Sequence, residues 1–283
     1  MQPTGHADGT PPPAPRAGND EPLTALRHQL AAIAAGLAGR LAVVVQRPED
    51  AAPLIDLRGD AVYSSASIIK LPILWAFLEQ ADAGSLDTVE GWVLQDQHRV
   101  DGTGVLRYLG AGASLTLLDL ATLMTVVSDN TATNALIDRL GVGTVQAVID
   151  RLGLTATRLG RKMYDFEARA RGLENVTCAR DIAALLRRIA TGDGLSPGAA
   201  AQARTILLGQ QFNAGLPARL PDETPVAHKT GNVPGLLHDA GWIEHPRGRV
   251  IVVAFTDGLA NAGDGAVALA AIGEAVWRWL DTA

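Results

Sequence analysis

The chain predicts an α+β fold, a five-stranded antiparallel sheet flanked by helices with an all-α lobe inserted into it. Three observations predict this. Short β-branched runs stand near both ends of the 283 residues. The long middle shows only apolar spacings of three and four. Gly141, Gly153 and Gly192 punctuate that middle where helices would end.

The first stretch, MQPTGHADGTPPPAPRAGNDEP, is rich in Pro and Gly and has no apolar run, so 1–22 reads as a disordered tail. A helix follows over 23–38, where Leu26, Leu30, Ile33 and Leu37 repeat at helical spacing and Gly39 lies just beyond. LAVVV (41–45) is a buried strand and PLIDL (53–57) a second, joined through a Pro-containing turn. Residues 61–66 are small and polar. Segments 70–82, 116–127, 131–140, 143–152 and 179–190 read as helices, with no comparable strand signal between them. PVAHKT (225–230), AGWIE (240–244) and VIVVAFT (250–256) form a meander, HPRG (245–248) turns its last hairpin, and 265–280 is a closing helix. Residues 23–66 and 212–283 thus make a discontinuous α/β lobe and 67–211 an all-α lobe, together one catalytic domain. A site at the seam is expected, because pockets favour such boundaries.

Composition narrows the function. Apolar residues are 47% and charged residues 19%, enough for an ample core. A net charge of -6 without a basic run argues against nucleic acid, whose phosphates need clustered Lys and Arg. No apolar run reaches the roughly 20 residues of a membrane span. Cys178 is alone, which rules out an intrachain disulfide and reads as a packing residue. Neither HExxH nor CxxC occurs, so no metal and no cofactor are expected. The expected partner is a small-molecule substrate, and the expected state a monomer. The chain as written lacks a charged-then-apolar leader, which fits a cytoplasmic protein or an exported one whose leader is absent.

Three short motifs carry chemistry. Ser67 and Lys70 stand three apart and share a face if a helix starts at or just before Ser67. A serine cap followed by a surface lysine is the plain reading of such a pair. Here Lys70 lies among Ile68, Ile69, Leu71, Ile73 and Leu74, and a lysine in that company needs a reason. With its pKa depressed by burial, its amine could take the serine proton. Ser128-Asp129-Asn130 falls between two helices. Asp129 or Asn130 could cap the second, or Ser128 could shuttle a proton while Asn130 offers its amide to a substrate carbonyl and to Lys70. Lys229-Thr230-Gly231 ends a predicted strand. There Lys229 could bring positive charge to Ser128 and a substrate carboxylate, Thr230 a hydroxyl, and Gly231 an unobstructed edge. The chain has only three lysines, Lys70, Lys162 and Lys229, and these motifs use two of them.

The set S-x-x-K, S-D-N, K-T-G resembles that of the class A β-lactamases and penicillin-binding DD-peptidases. The likeness extends over about 23–281, most closely in LTLLDLATLMTVVSDNTATNALIDRLG. It implies the serine β-lactamase fold and hydrolysis of β-lactam amides through an acyl-enzyme. By this resemblance Ser67 is the nucleophile, Lys70 its base and Ser128 the donor to the leaving nitrogen. Asn130 positions the acyl side chain, Lys229 and Thr230 bind the carboxylate, and the Ser67 and Asn232 N–H groups form the oxyanion hole.

Two departures leave alternatives open. Anchoring the family's deacylation loop on Arg161 puts Met163 where a glutamate is usual, and a thioether cannot activate water. Asp165 or Glu167 could substitute if the loop shifts, with Glu167 the candidate base. Otherwise both, like Glu174, are solvated carboxylates. Asn175 stands at the place of the loop-closing aspartate, which puts an ion pair with Arg161 in doubt. The strand after K-T-G lacks the usual arginine, and His238 and Asp239 occupy that region. A Ser67–His238–Asp239 triad is disfavoured because neighbours on a strand face opposite ways, and His228 should face away from Lys229. A serine peptidase, transpeptidase or esterase, or a module that is acylated without turnover, are the competing readings.

Overall fold

The structure, a computed structural model, describes residues 20–282. In chain order the helices are α1 (Asp20–Gly36), α2 (Lys70–Asp82), α3 (Leu117–Val126), α4 (Asn130–Leu140), α5 (Val142–Arg151), α6 (Phe166–Ala170), α7 (Ala179–Thr191), α8 (Pro197–Leu208) and α9 (Ala262–Thr282). The strands are β1 (Arg40–Gln46), β2 (Ile55–Leu57), β3 (Val62–Ser64), β4 (Gly91–Val93), β5 (Ser114–Thr116), β6 (Val176–Cys178), β7 (Val226–Val233), β8 (Leu236–His245) and β9 (Gly248–Asp257).

The main sheet has five strands in the order β2-β1-β9-β8-β7, every neighbouring pair antiparallel. Alternation along these strands feeds two cores, one on each face. Ala42, Val44, Ala227, Ala240, Trp242, Ile251, Val253 and Phe255 join the large core built with α2–α5, α7 and α8. Leu41, Val43, Val45, Val226, Ile243, Val250, Val252 and Ala254 join the smaller core under α1 and α9. Fully burying a side chain of this size contributes about 1.5–3 kcal/mol, so register is strongly specified: a one-residue slip would exchange the faces. β7 is an edge strand, and it lies beside the turn that carries Ser67.

Some expectations need correction. Asp20, Glu21 and Pro22 are helical rather than part of a tail, and residues 1–19 lie outside the described residues. β7 and β8 run further than expected because Pro234-Gly235 makes a two-residue turn, with Gly235 at φ 85°, and Val233 pairs with Leu236. Short strands do interrupt the helical stretch, β6 pairing with β3 and β4 with β5. Among the described residues, no helix is long and apolar enough to cross a membrane.

Candidate active site

β3 delivers the chain into a 3-10 turn, Ala66–Ile69, that runs directly into α2 at Lys70. The α-helix therefore begins after Ser67, not at it. Ala66 sits in the left-handed region at φ 43°, which starts a tight turn rather than a regular helix. Residues three apart eclipse in a 3-10 helix, so the partly exposed Ser67 and the buried Lys70 still share a face. The turn is anchored behind: Ser65 N–H donates to Asn175 O at 2.9 Å and His238 Nε2 to Ser64 O at 2.8 Å. His238 Nδ1 accepts from Thr256 N at 3.2 Å, so the ring proton is on Nε2. Burial pushes this imidazole down to about 4. His238 is a neutral backbone anchor, and Asp239 bonds His228 instead, so a Ser67–His238–Asp239 triad does not form.

Lys70 is 1% exposed. Its Nζ lies 2.8 Å from Ser128 O, 2.9 Å from Asn130 Oδ1 and 3.0 Å from Ser128 Oγ. Burial, and then the charge of Lys229, hold its pKa well below the ordinary lysine value, with Asp129 opposing. An uncharged amine has two N–H donors and one lone pair. Ser128 O and Asn130 Oδ1 can only accept, so they take the two donors, and the lone pair is left for a hydroxyl.

Ser128 has φ 53°, a conformation that costs a non-glycine residue energy and persists only when its surroundings fix it. Its carbonyl accepts from Lys70 and from Thr103 Oγ1 at 2.7 Å. Its hydroxyl lies between two amines, 3.0 Å from Lys70 Nζ and 3.0 Å from Lys229 Nζ. Asp129 is the helix cap: it accepts from Ala132 N at 2.9 Å and also from Val105 N and Leu106 N, at 2.7 and 2.8 Å. Asn130 bonds Lys70 through Oδ1 and donates from Nδ2 to Asp101 O at 2.8 Å.

Lys229 is fully buried on β7 and donates to Ser128 Oγ and to Thr230 O at 2.8 Å. Burial pushes it down to about 7, with the Asp239 charge opposing. Thr230 is buried and Asn232 exposed. Gly231 meets a demand that the sequence left unseen. A Cβ there would stand 3.2 Å from Ala66 Cβ and Ile68 Cγ1, so its bare Cα lets the edge strand close on the serine turn.

The loop after α5 is closed by an ion pair after all. Arg161 Nη2 lies 3.0 Å from Glu174 Oε2, one residue before the expected position. Asn175 serves the backbone instead, its Oδ1 accepting from Gly160 N and Arg161 N and its Nδ2 donating to Arg161 O. Glu174 is thus a structural partner rather than a merely solvated carboxylate. Met163 is clamped by Asn134, which accepts from Met163 N at 2.8 Å and donates to Met163 O at 3.0 Å. The Met163 side chain packs on the large core. Asp165 caps α6 through Ala168 N at 2.8 Å. Glu167 is exposed on α6, and its carbonyl accepts from Arg171 N at 3.2 Å while its carboxylate has no hydrogen-bond or ion-pair partner among the described residues.

Asn134, Thr103 and the buried His228–Asp239 pair escape the sequence reading. Asn134 carried a signal, since it stands one helical turn after Asn130 on α4. Thr103 had none, because its contact with Ser128 spans a loop. The Cys178 thiol is pushed up to about 11 by burial, which fits packing rather than reaction. Among the described residues no group of His, Cys, Asp or Glu could hold a metal ion. Lys70 Nζ, Ser128 Oγ and Lys229 Nζ form one continuous chain of contacts along which a proton can pass.

The profile of the beta-lactamase enzyme family matches residues 25–280. A beta-lactamase of Citrobacter koseri is 29% identical over 240 residues, covering 82% of this chain and 81% of the relative. An ancestral class A beta-lactamase superposes with a TM-score of 0.82 at 28% identity, covering 89% of this chain and 99% of the other. PBP-A, solved as a leucine-to-glutamate mutant in acyl-enzyme complex with penicillin G, superposes with a TM-score of 0.83 at 28% identity, covering 92% and 98%.

Proposed function

The chain belongs to the beta-lactamase enzyme family, and on that premise we propose how its residues divide the work of hydrolysing a β-lactam through a serine acyl-enzyme. Lys229 and Thr230 take the substrate carboxylate. The carbonyl oxygen sits between the Ser67 and Asn232 N–H groups, and Asn130 orients the acyl side chain. Ser67 Oγ attacks the carbonyl carbon while Lys70, whose pKa burial holds well below the ordinary lysine value, accepts its proton. The proton returns through Ser128 Oγ to the ring nitrogen as the C–N bond breaks. The Lys70–Ser128–Lys229 chain of contacts at 3.0 Å carries this reading. All these groups come from one chain, which works as a monomer. Residues 23–66 with 212–283 form one lobe of the catalytic domain and 67–211 the other.

Release is the slow half. Met163 offers no base, so water must be activated by Lys70 once it has passed on its proton, or by Glu167 after an inward movement of α6. This favours a second reading, a long-lived acyl-enzyme of the penicillin-binding kind with weak turnover. One experiment tests both. A chromogenic cephalosporin is turned over by wild type and not by Ser67→Ala, while intact mass after mixing with penicillin G follows the adduct. Equal turnover by Ser67→Ala, or no adduct and no turnover in wild type, would overturn the assignment of Ser67.

A further inference from the structure

The acylation chemistry leaves out two aromatic side chains on the chain after α5. Tyr164 precedes α6 and Phe166 begins it, and they are 43% and 60% exposed. Their rings meet edge to face, with centroids 5.5 Å apart and planes at 80°. A single exposed ring needs no account. Two further observations single out Tyr164.

The first is its backbone. Tyr164 has φ 60°, an outlier for so bulky a residue. Asn134 grips Met163 just before it, and Phe166 N donates to Tyr164 O at 3.0 Å. A costly conformation held from both sides points to use. The second is where the phenol lies. One point beside Gly102, where a Cβ would stand, is 2.6 Å from Tyr164 Oη, 2.7 Å from Tyr164 Cε2 and 2.7 Å from Asn130 Nδ2. The ring therefore reaches from its own loop to the Asn130 amide, and Gly102, at φ 89°, leaves that point open to both. Asn130 Oδ1 is taken by Lys70 and one of its N–H groups by Asp101 O. Among the described residues no protein group accepts the second N–H or bonds Tyr164 Oη. A substrate carbonyl on that N–H would bring the group beyond it against the Tyr164 ring.

We propose that Tyr164 is a specificity-determining residue, its ring the wall on which the acyl side chain lies, so that the site prefers β-lactams whose acyl group ends in a flat aromatic ring. The inference rests on the reading of Asn130 as the group that orients the acyl side chain. An aromatic ring there gains from edge-to-face or offset contact with Tyr164, beyond the area that either buries. A methyl group in its place does not.

The test uses the full chain and follows acylation by intact mass, so slow release does not mask the result. It compares penicillin G with its acetyl analogue, which keeps the amide and lacks the phenyl ring. Asparagine tolerates a positive φ, so Tyr164→Asn removes the ring without remaking the turn. It lowers the second-order acylation rate for penicillin G about five- to tenfold, the worth of one aromatic pair, and leaves the acetyl analogue unchanged. Tyr164→Gly replaces it if it does not fold. Tyr164→Phe keeps the ring and matches wild type on both. Equal losses on the two penicillins, faster acylation of Tyr164→Asn by penicillin G, or a Tyr164→Phe loss as large as that of Tyr164→Asn would overturn the proposal. Asn130→Ala separates the layers. If it slows both penicillins no more than aminopenicillanic acid, which lacks the acyl group, the assigned role of Asn130 fails and this inference with it. If it slows them more and the Tyr164 variants do not discriminate, only the present inference fails.

Discussion

The two halves of the reaction are built to different standards in this molecule. The proposed acylating half beside Ser67 has its full set of side chains: Lys70, Ser128, Asn130 and Lys229 are buried, with Lys70 bonded to Ser128 and Asn130, and Lys229 to Ser128. The loop from Arg158 to Val176 is equally well fixed, by Arg161–Glu174, by the Asn175 amide and by the Asn134 clamp. Yet the position it fixes holds Met163, and its free carboxylate, Glu167, is exposed. Preorganisation of backbone and supply of a chemical group are therefore separable, and only the second is missing from the release half.

The strongest way to break this contrast is to disable the complete half. Lys70→Ala removes the proton acceptor and should lower acylation by roughly 10³-fold or more, at the scale of losing a member of a catalytic unit. Stopped-flow loss of β-lactam absorbance measures it, and a loss below tenfold would mean another base serves Ser67. Next, Met163→Glu places a carboxylate on a backbone already clamped. It should raise deacylation about 10²-fold, the lower range for a general base, read as a shorter adduct lifetime by mass spectrometry. An unchanged lifetime would locate the defect elsewhere.

A third measurement sharpens the electrostatic cost of the acylating half. Folding depresses Lys229 to about 7 from its ordinary 10.5. Between those values the unfolded chain binds a proton that the folded chain has released, so stability rises with pH across that window. The cost of the buried cation is present in full below it. Lys229→Met should flatten this rise and stabilise the inactive protein by about 1–3 kcal/mol at pH 6, as chemical denaturation would show. Asn134→Ala should cost about 1–2 kcal/mol for its two backbone hydrogen bonds and raise amide exchange around Met163 with little change in acylation. The smallest effect belongs to Glu167→Gln, which leaves adduct lifetime unchanged if Glu167 stays outside the site and lengthens it if α6 swings inward.

The side chains of the proposed acylating half stood out because they are compressed into local triplets whose residue types are costly to keep, above all lysines in apolar surroundings. The five main strands and the long helices were legible from periodicity. α8 was not, since in PGAAAQARTILL the large apolar residues stand together at the end, Ile206 and Leu207 being buried with Ala203 before them, and no repeating stripe shows. β3 to β6 are too short, at three residues each, to display alternation. The loop clasp was misread because Glu174 takes the ion pair one residue early, while Asn175 does for the backbone what a carboxylate was expected to do for Arg161. Asp239 was visible as a residue but not as a partner of His228, which only the β7–β8 register brings together.

The Asn134 clamp grips only the main chain of Met163, so the side chain can change without remaking the loop. The genetic code makes that change less accessible than the fold does. The methionine codon differs from the nearer glutamate codon at two bases, so no single nucleotide substitution joins them. The shortest routes pass through valine or lysine at residue 163. A lineage under antibiotic selection would have to survive on one of those intermediates before a carboxylate reached the site.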